Sequence, residues 1–424
     1  KEMGFTDEEL LAAYYKAYQK RLKKLNFTEE QLTAEFHLPE TVIRNIGSLP
    51  AKTDQSSIDL QLEFKDTKYP LDRINLYVNG VAVKGKDGID LRSENTKEYS
   101  GRFSIDLAYG ENKIDVSVLN QSGQESYKKT AVIECTAGKQ KPTLYLVTMG
   151  VSKYKDKDFN LEYAAKDAKD MAGLFVNNTF FSEVKSKTIT DEQVTLESLD
   201  DLKNFVDQAD INDVVMVFVA GHGVLDNNFD YFFASHDMDF SQPAKRGIPY
   251  ERVEGLLDGI RALKKLLFLD TCHSGEVDKD DLEVDDEMPE EEQGDLDFRS
   301  AGLRVRYKQE ALLDGGEDGA FGLKSINELM KSVFADLRKG TGATVISSSG
   351  GAELSIEGET YNNGLFTYCM LRGLNNRAAD LNKDKTINVR ELQVYVRDEV
   401  TKLSNGKQTP TSRISNDELD YRLW

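Results

Sequence analysis

The sequence predicts a mixed α/β protein: a mostly parallel sheet flanked by helices, preceded by a small immunoglobulin-like β-sandwich and an N-terminal helical segment. Three patterns lead to this fold class. Helix-start signals occupy residues 1–50, alternating apolar residues fill 51–138, and buried-strand runs alternate with helical stretches over 142–424. A chain of 424 residues exceeds one typical domain, so two or three domains are expected.

The segment 1–50 is predicted to be helical because it contains two capping boxes. Glu9 follows Thr6, and Gln31 follows Thr28, at the spacing that lets each pair satisfy free backbone N–H groups. We expect a scaffold or the tail of an upstream domain, because residue 1 is Lys rather than Met and the chain is expected to continue before it. The alternative is a helix that binds a protein partner.

The segment 51–138 is predicted to be the β-sandwich. Asn79-Gly80 is a strong hairpin-turn signal. Apolar residues alternate in short runs, typical of strands with one buried face, that begin at Ile58, Ile74, Phe103 and Ile114. No catalytic combination of side chains occurs here, so we interpret the segment as a binding or spacing module.

The segment 142–424 is predicted to alternate between strands and helices. The expected strands are 143–151, 184–190, 213–220, 264–270 and 342–348. The expected helices are 160–176, 194–209, 249–262, 324–338, 363–373 and 388–403. This order is typical of a parallel sheet with helices on both faces.

Charge, apolar content and cysteine content limit the kinds of binding partner and the cellular compartment that we expect. The net charge is −20, and residues 276–298 hold thirteen acidic residues against one Lys, which argues against nucleic acid as a partner. No apolar run approaches the ~18 residues of a membrane helix, so no membrane partner is expected. Three widely spaced cysteines, Cys135, Cys272 and Cys369, make no disulfide framework, so a reducing, cytoplasmic location is expected.

Two motifs carry the chemistry. Ala220-Gly221-His222-Gly223 and Asp270-Thr271-Cys272-His273-Ser274-Gly275 each follow a short apolar run that predicts a buried strand. In parallel sheets, functional residues collect beyond the carboxyl ends of such strands. A thiolate is the reactive form of cysteine, and a nearby imidazolium stabilises it. We therefore predict Cys272 as nucleophile and His222 as its acid–base partner.

At these motifs the chain resembles the caspase-like cysteine peptidases, on the metacaspase and bacterial side of that group. Further matching segments are 145–151, 363–368 and 421–424, so the resemblance covers about residues 142–424. It implies cleavage of polypeptides, a monomer, and oxyanion donors in the backbone amides of Gly223 and Cys272. We expect no required cofactor, with Ca²⁺ as a possible one. Ala220 stands where metacaspases usually have Ser.

Asp270 is predicted to decide the substrate. Strand alternation points it to the same face as Cys272, where a carboxylate would seat a cationic side chain. Similarity to metacaspases implies that Asp167 completes the pocket, and Ser348 is expected on its other wall. We predict cleavage after Arg or Lys. The alternatives are a caspase-like peptidase with non-basic specificity, and a binding or scaffold protein with a regulatory peptidase-like domain.

The loop 276–310 is acidic first and then basic. In the related family this place carries a segment often cut during activation. The candidate self-processing residues are Lys279, Arg299, Arg304, Arg306 and Lys308. The alternative is a solvated loop that is never cut.

A last motif follows the ligand spacing of a calcium-binding EF-hand loop. Its candidate ligands are Asp380, Asn382, Asp384 and Glu391, while Lys385 occupies the position that usually needs Gly. Two interpretations stay open: a Ca²⁺ site, or a polar loop that leads into the next helix.

Overall fold

The computed structural model describes residues 15, 18–19, 22–23, 27–32, 35–138, 141–226, 230–271, 296–298, 341–349, 355–414 and 420–424. It confirms the predicted fold class, with a β-sandwich followed by a helix-flanked, mostly parallel sheet. Among the described residues, no helix combines the length and apolar composition needed to cross a bilayer.

The first part of the chain forms two facing antiparallel sheets. Its strands are β1 (Glu40–Ile43), β2 (Lys52–Thr53), β3 (Ser57–Lys65), β4 (Leu71–Val78), β5 (Val81–Ala82), β6 (Ile89–Asp90), β7 (Glu98–Asp106), β8 (Gly110–Asn120) and β9 (Lys129–Cys135). One sheet has the order β1-β3-β7, and the other β2-β9-β8-β4-β5, with the short β2 parallel to β9. Side chains from both sheets, such as Leu62 and Val116, share one core. The predicted hairpin at Asn79-Gly80 has positive φ at both residues, as its turn type requires.

The prediction that residues 1–50 are helical is wrong for the last part of this segment. Helix α1 (Glu29–Leu32) does begin at the predicted capping box, with the Gln31 backbone N–H donating to Thr28 Oγ1 at 3.4 Å. Residues 40–43 instead form β1, which pairs with β3 and buries Ile43 against the sandwich core. The β-branched sequence Thr-Val-Ile after a proline favours a strand there, so the sandwich begins before residue 51. Thr6 and Glu9 lie outside the described residues.

The second part of the chain contains the remaining elements. Its strands are β10 (Thr143–Gly150), β11 (Glu183–Thr190), β12 (Val214–Gly221), β13 (Gly223–Leu225), β14 (Tyr231–Phe233), β15 (Ile248–Pro249), β16 (Lys264–Thr271), β17 (Leu296–Phe298), β18 (Thr344–Ser347), β19 (Ile356–Gly358), β20 (Asn363–Gly364) and β21 (Thr411–Ile414). Its helices are α2 (Ala164–Phe175), α3 (Ser198–Val206), α4 (Tyr250–Gly255), α5 (Leu365–Asn375) and α6 (Val389–Leu403).

The main sheet has the order β11-β10-β12-β16-β18-β21. Neighbouring strands from β11 to β18 are parallel, and β21 closes one edge in the antiparallel direction. Side chains of β12 alternate between two cores: Met216 and Phe218 pack with α2, α5 and α6, whereas Val215 and Val217 pack with α3 and α4. Helices therefore cover both faces, as predicted.

The structure of this part differs from the sequence-based prediction at a helix and at a strand. The helix expected over 249–262 ends at Gly255, and Gly259 beyond it has a φ of +66° that does not continue a helix. Strand β21 was not predicted. The helix expected over 324–338 lies outside the described residues.

The sandwich contacts the second part near the amino ends of β12 and β16. Asn212 Oδ1 accepts the backbone N–H of Tyr109 at 2.9 Å, and the Arg261 guanidinium lies 3.1 Å from Asp106. Ile211 and Leu263 extend the sandwich core. His222 and Asp270 lie at the opposite, carboxyl ends of the same strands.

Candidate active site

His222 follows the end of β12, where the chain turns sharply. The preceding Gly221 has a φ of +147°, and a Cβ added to it would lie 3.0 Å from the Tyr154 hydroxyl. Glycine is therefore required by both the backbone conformation and the close approach of Tyr154. The same hydroxyl accepts the backbone N–H of His222 at 3.1 Å, which fixes the histidine where the strand ends.

The imidazole ring of His222 is held by a backbone carbonyl. Its Nε2 lies 2.9 Å from the carbonyl oxygen of Phe159, at the end of a short helical turn over Lys157–Phe159. Because a carbonyl oxygen only accepts hydrogen bonds, Nε2 carries the proton and Nδ1 is the basic nitrogen of the neutral ring. The rings of Tyr154 and Phe240 flank the imidazole at centroid distances of 5.2 and 5.9 Å. His222 is thus oriented by contacts on several sides.

The register of the sheet brings the two motif-bearing strand ends side by side. β12 and β16 are parallel neighbours, with Ala220 opposite Asp270 and Gly221 opposite Thr271. In sequence, His222 directly follows β12 and Cys272 directly follows β16. Cys272 lies outside the described residues, so its pairing with His222, and the oxyanion role of its amide, stay predictions.

A small pocket, with a cavity volume of about 10 Å³, lies between these two strand ends, since His222 and Thr271 both line it. The rest of its lining is mostly apolar and includes Met149, Val151, Phe233 and Val253. Gly223, the other predicted oxyanion donor, begins β13 and pairs with Phe233 of β14. The structure therefore has an apolar recess beside the histidine.

Asp167 and Asp270 are both fully buried and both bind the N-terminal end of α5. Asp167 Oδ1 accepts the side-chain N–H of Asn363 at 2.7 Å and the backbone N–H of Gly364 at 3.2 Å. Asp270 Oδ2 accepts the Thr367 hydroxyl at 2.6 Å. The free N–H groups and positive dipole at a helix start favour carboxylates there. The two predicted pocket residues therefore lie around one helix end.

Asn363 and Thr367 are partners that the sequence did not single out as site residues. They belong to the segment 363–368, which the sequence marks only through the family resemblance. The only sequence feature that could have indicated them is that two small polar residues stand at the start of a predicted helix. Ser348, predicted as a wall residue, is buried, and its Oγ donates to the carbonyl oxygen of Thr271 at 3.1 Å. Ser348, which follows β18, therefore lies beside the last residue of β16.

The five predicted processing residues lie outside the described residues: Lys279, Arg299, Arg304, Arg306 and Lys308. Of the segment 276–310, the structure describes only β17. That strand pairs with β19, which in turn pairs with β20 at the start of α5. Part of the predicted processing loop therefore lies in the same small sheet as the residue that binds Asp167.

The predicted calcium loop is closed by its own hydrogen bonds. Asp380 Oδ1 and Asn382 Oδ1 both accept the backbone N–H of Asp384, at 3.1 and 2.8 Å. The two oxygens of Glu391 accept the N–H groups of Asn382 and Asn388, at 3.2 and 3.1 Å, as part of the capping box that starts α6.

The oxygen donors of this loop suit Ca²⁺, but the loop is complete without an ion. Both oxygens of Glu391 already accept backbone N–H groups, and Lys385 adds a positive charge. Among the described residues, no group of three or more His, Cys, Asp or Glu side chains is arranged to hold a metal. The acidic oxygens of the loop thus accept hydrogen bonds from the loop itself, and calcium binding stays a prediction.

Comparison with known families identifies the second part of the chain. The caspase domain, peptidase family C14, matches residues 144–419. No curated protein matches the chain. Among solved structures, protein GSU0716 from Geobacter sulfurreducens is similar at 17% identity and a TM-score of 0.41, over 64% of this chain and 92% of that one. Fibronectin(III)-like modules of CbhA from Clostridium thermocellum are similar at 11% identity and a TM-score of 0.17, over 24% of this chain and 50% of that one.

Proposed function

The chain belongs to the caspase-domain family of cysteine peptidases, and we propose that it cleaves polypeptides after Arg or Lys with His222 and Cys272 as its catalytic pair. A polypeptide substrate follows from the family. The observation that carries the assignment is the bond between His222 Nε2 and the Phe159 carbonyl, because it directs the basic Nδ1 away from Phe159 while the register sets β12 beside the strand that leads to Cys272.

The proposed reaction has two stages. The Cys272 thiolate attacks the scissile carbonyl carbon, and the oxyanion is held by the backbone amides of Gly223 and Cys272. The His222 imidazolium gives its Nδ1 proton to the leaving amine as the C–N bond breaks. Water then attacks the thioester, His222 takes a proton from that water, and the new carboxyl group leaves the cysteine. The Phe159 carbonyl accepts from Nε2 throughout and supports the charged ring.

The proposed preference for Arg or Lys rests on Asp167 and Asp270. Two fully buried carboxylates around one helix end make a strongly anionic site, which attracts a guanidinium or ammonium group. Their described partners include groups of Asn363, Gly364 and Thr367.

A positional-scanning peptide library tests the activity and its specificity together. We expect cleavage after Arg and Lys in the wild type and none in Cys272→Ala. Asp270→Asn should lower kcat/KM for Arg peptides by at least tenfold, because a charge-assisted contact is lost. The matched control is Asp258→Asn, a carboxylate at the sandwich contact that accepts the Lys86 backbone N–H. Equal cleavage after Arg by Asp270→Asn and wild type would contradict the pocket assignment.

A reactive peptide ending in Arg distinguishes the peptidase from a scaffold protein. A peptidase becomes labelled at Cys272, whereas a scaffold with a non-catalytic domain stays unlabelled. The same proposal includes self-processing in the loop 276–310. Incubating the active chain beside Cys272→Ala tests this, and an unchanged intact mass of the active chain after long incubation would exclude it.

A further inference from the structure

One loop, between β10 and α2, holds His222 at two points. The Tyr154 hydroxyl accepts the backbone N–H of His222 at 3.1 Å. The carbonyl oxygen of Phe159 accepts the ring Nε2–H, with 2.9 Å between oxygen and nitrogen. Because one contact fixes the backbone and the other fixes the ring, the position of this loop determines the position of the imidazole.

The loop is closed by its own hydrogen bonds. The backbone N–H of Leu161 donates to the carbonyl oxygen of Ser152 at 2.9 Å, so the two ends of the segment 152–161 lie side by side. Inside the segment, Asn160 Oδ1 accepts the backbone N–H of Tyr154 at 2.8 Å. We call residues 152–161 the histidine loop. Because it is compact and closed, an anchor at its ends positions it as one unit.

Asp191 anchors the start of the histidine loop. It directly follows β11, whose last residue, Thr190, lies opposite Gly150 at the end of β10. Asp191 Oδ1 accepts the backbone N–H groups of Ser152 and Lys153, both at 2.9 Å. Successive backbone N–H groups that converge on one oxygen make a small anion-binding concavity, which suits a carboxylate.

The backbone of Asp191 is itself unusual. Its φ is +51°, in the left-handed region that few residues other than glycine adopt. The turn Asp191–Gln193 holds this conformation through a capping box between Thr190 and Gln193. Such strained residues persist where the surrounding structure fixes them, and they cluster at functional sites. The strain therefore indicates that the placement of this carboxylate matters.

The same turn supports a second anchor of the histidine loop. The Val194 backbone N–H donates to the Asp191 carbonyl oxygen at 2.9 Å, and the Val194 carbonyl oxygen accepts the backbone N–H of His236 at 3.1 Å. His236 Nδ1 lies 2.6 Å from the carbonyl oxygen of Lys153. The His236 carbonyl oxygen accepts the backbone N–H of Lys155 at 2.8 Å. The turn thus anchors the loop directly through Asp191 and indirectly through His236.

We propose that Asp191 is a positioning residue, which places the His222 imidazole by fixing the histidine loop. The catalytic consequence rests on the proposed function, whereas the positioning itself can be measured without a substrate. Loss of the carboxylate should slow proton transfer to the leaving amine, because the imidazole is oriented less well. Binding of the basic side chain by the two buried carboxylates should stay unchanged. The effect is therefore expected in kcat and not in KM.

Steady-state kinetics on an Arg peptide tests this consequence. Asp191→Gly removes the carboxylate but adopts the left-handed backbone without strain, so it should fold and lower kcat about tenfold, with KM changed by less than about twofold. Asp191→Asn keeps an Oδ1 acceptor and tolerates this backbone, so its kcat should stay within about threefold of the wild type. The matched control is Asn405→Gly, at a φ of +50° after α6, which should keep the wild-type kcat. A wild-type kcat in Asp191→Gly would overturn the inference.

Exchange of the His222 ring proton measures the positioning in the absence of peptidase activity. NMR of a Cys272→Ala chain with isotope-labelled histidine detects the Nε2–H signal, which is assigned by its loss in His222→Ala. Because the Phe159 carbonyl accepts this proton, Asp191→Gly should speed its exchange with water about tenfold, whereas Asp191→Asn should leave the exchange slow. Equal exchange rates with and without Asp191→Gly would also overturn the inference.

The two measurements separate this inference from the proposed function. If Asp191→Gly speeds the exchange of the ring proton but no variant hydrolyses Arg peptides, the proposed specificity fails and the positioning role is supported. If the wild type hydrolyses Arg peptides only when Cys272 is present, and Asp191→Gly matches its kcat, the positioning role alone fails.

Discussion

At the scale of single residues, the orientation of His222 depends on a backbone carbonyl that is itself held by aromatic stacking. The ring of Phe159 lies on the ring of Phe240 with centroids 3.8 Å apart and planes inclined by 12°. The carbonyl oxygen of Phe159 accepts from His222 Nε2. Phe240 therefore positions the imidazole through Phe159, in addition to its own edge contact with the ring.

Replacing Phe240 with Ala should lower kcat roughly tenfold, equivalent to about 1.4 kcal/mol, with little change in KM. The stacking is lost, so the Phe159 carbonyl orients the imidazole less well, while the substrate pocket around α5 is untouched. Steady-state kinetics on an Arg peptide provides the measurement. Phe240→Tyr is the control, because it keeps the stacked ring. An Ala variant with wild-type kcat would show that the stacking does not position His222.

The sequence predicted part of this site for identifiable reasons. His222 was evident because glycines flank it after an apolar strand, and Asp270 because it is two residues before a cysteine. Phe159 was not predicted, because its functional group is a backbone carbonyl that any residue carries. Phe240 was not predicted either, since the fold rather than a motif brings the loop after β14 over the histidine.

Lys385 has a strained backbone in the predicted calcium loop. Its φ is +70°, which costs a non-glycine residue roughly 1 kcal/mol. Lys385→Gly should therefore raise the free energy of unfolding by about 1 kcal/mol without calcium, as measured by urea denaturation. Lys385→Ala removes the charge but keeps the strain, so it should not show this gain. Equal gains from Gly and Ala would assign the effect to the charge.

A calcium titration on both Lys385 variants and the wild type addresses the open question of the ion. A polar loop that only leads into α6 predicts the same peptidase rate and unfolding midpoint with and without calcium. A calcium-dependent rise that is largest for Lys385→Gly would instead support an ion site formed by Asp380, Asn382, Asp384 and Glu391.

At the scale of elements, buried apolar runs were the most predictable and short edge elements the least. All eight residues of β12 are buried, and its run of β-branched and aromatic residues indicated a strand from the sequence alone. β21 has four residues and pairs along one side, so its sequence carries little signal. The sequence does not indicate β1 as a strand, because its burial depends on pairing with β3, which is distant in sequence.

Strand β16 also contains an unusual buried lysine at its amino end. Lys265 is 1% exposed, and its Nζ donates to the carbonyl oxygen of Thr341 at 3.0 Å. Burial lowers the pKa of Lys265 to about 7. An unfolded lysine has a pKa of about 10.4, so between about pH 7 and pH 10 the unfolded chain binds more protons.

The free energy of unfolding of the wild type should therefore rise, relative to that of Lys265→Met, as the pH increases from about 7 to about 9.5. The stabilisation is complete above the unfolded pKa and is lost as the pH falls through about 7. Urea denaturation at several pH values measures the difference. Lys187→Met, on the exposed edge strand β11, should give a constant difference. If the difference in free energy of unfolding between wild type and Lys265→Met does not change with pH, burial does not lower the pKa of Lys265.

At the scale of the whole molecule, the sandwich and His222 lie at opposite ends of the main sheet. The sandwich contacts the segments that precede β12 and β16, through Asn212 and Arg261. His222 follows the other end of β12. The sandwich therefore contacts the base of the sheet, away from the edge where His222 lies.

Leu263 links the stability of the two parts, because it precedes β16 yet packs in the sandwich core. In a Cys272→Ala background, Leu263→Ala should cost about 2–4 kcal/mol and lower the melting temperature of the sandwich and the peptidase domain together. Calorimetry should show this shift, and Leu381→Ala, at an exposed position, should not. Two separate transitions, with only the lower one shifted, would show that the parts unfold independently.

The central claim is that His222 activates one thiol, Cys272, and that an anionic pocket beside them binds the basic side chain of the substrate. The most direct measurement is peptide mapping after treatment with matched electrophiles that end in Arg or in Asp. We predict stoichiometric labelling of Cys272 by the Arg reagent, little by the Asp reagent, and at least tenfold slower labelling in His222→Ala. Equal labelling by both reagents, or labelling of Cys135 or Cys369 in place of Cys272, would contradict the account.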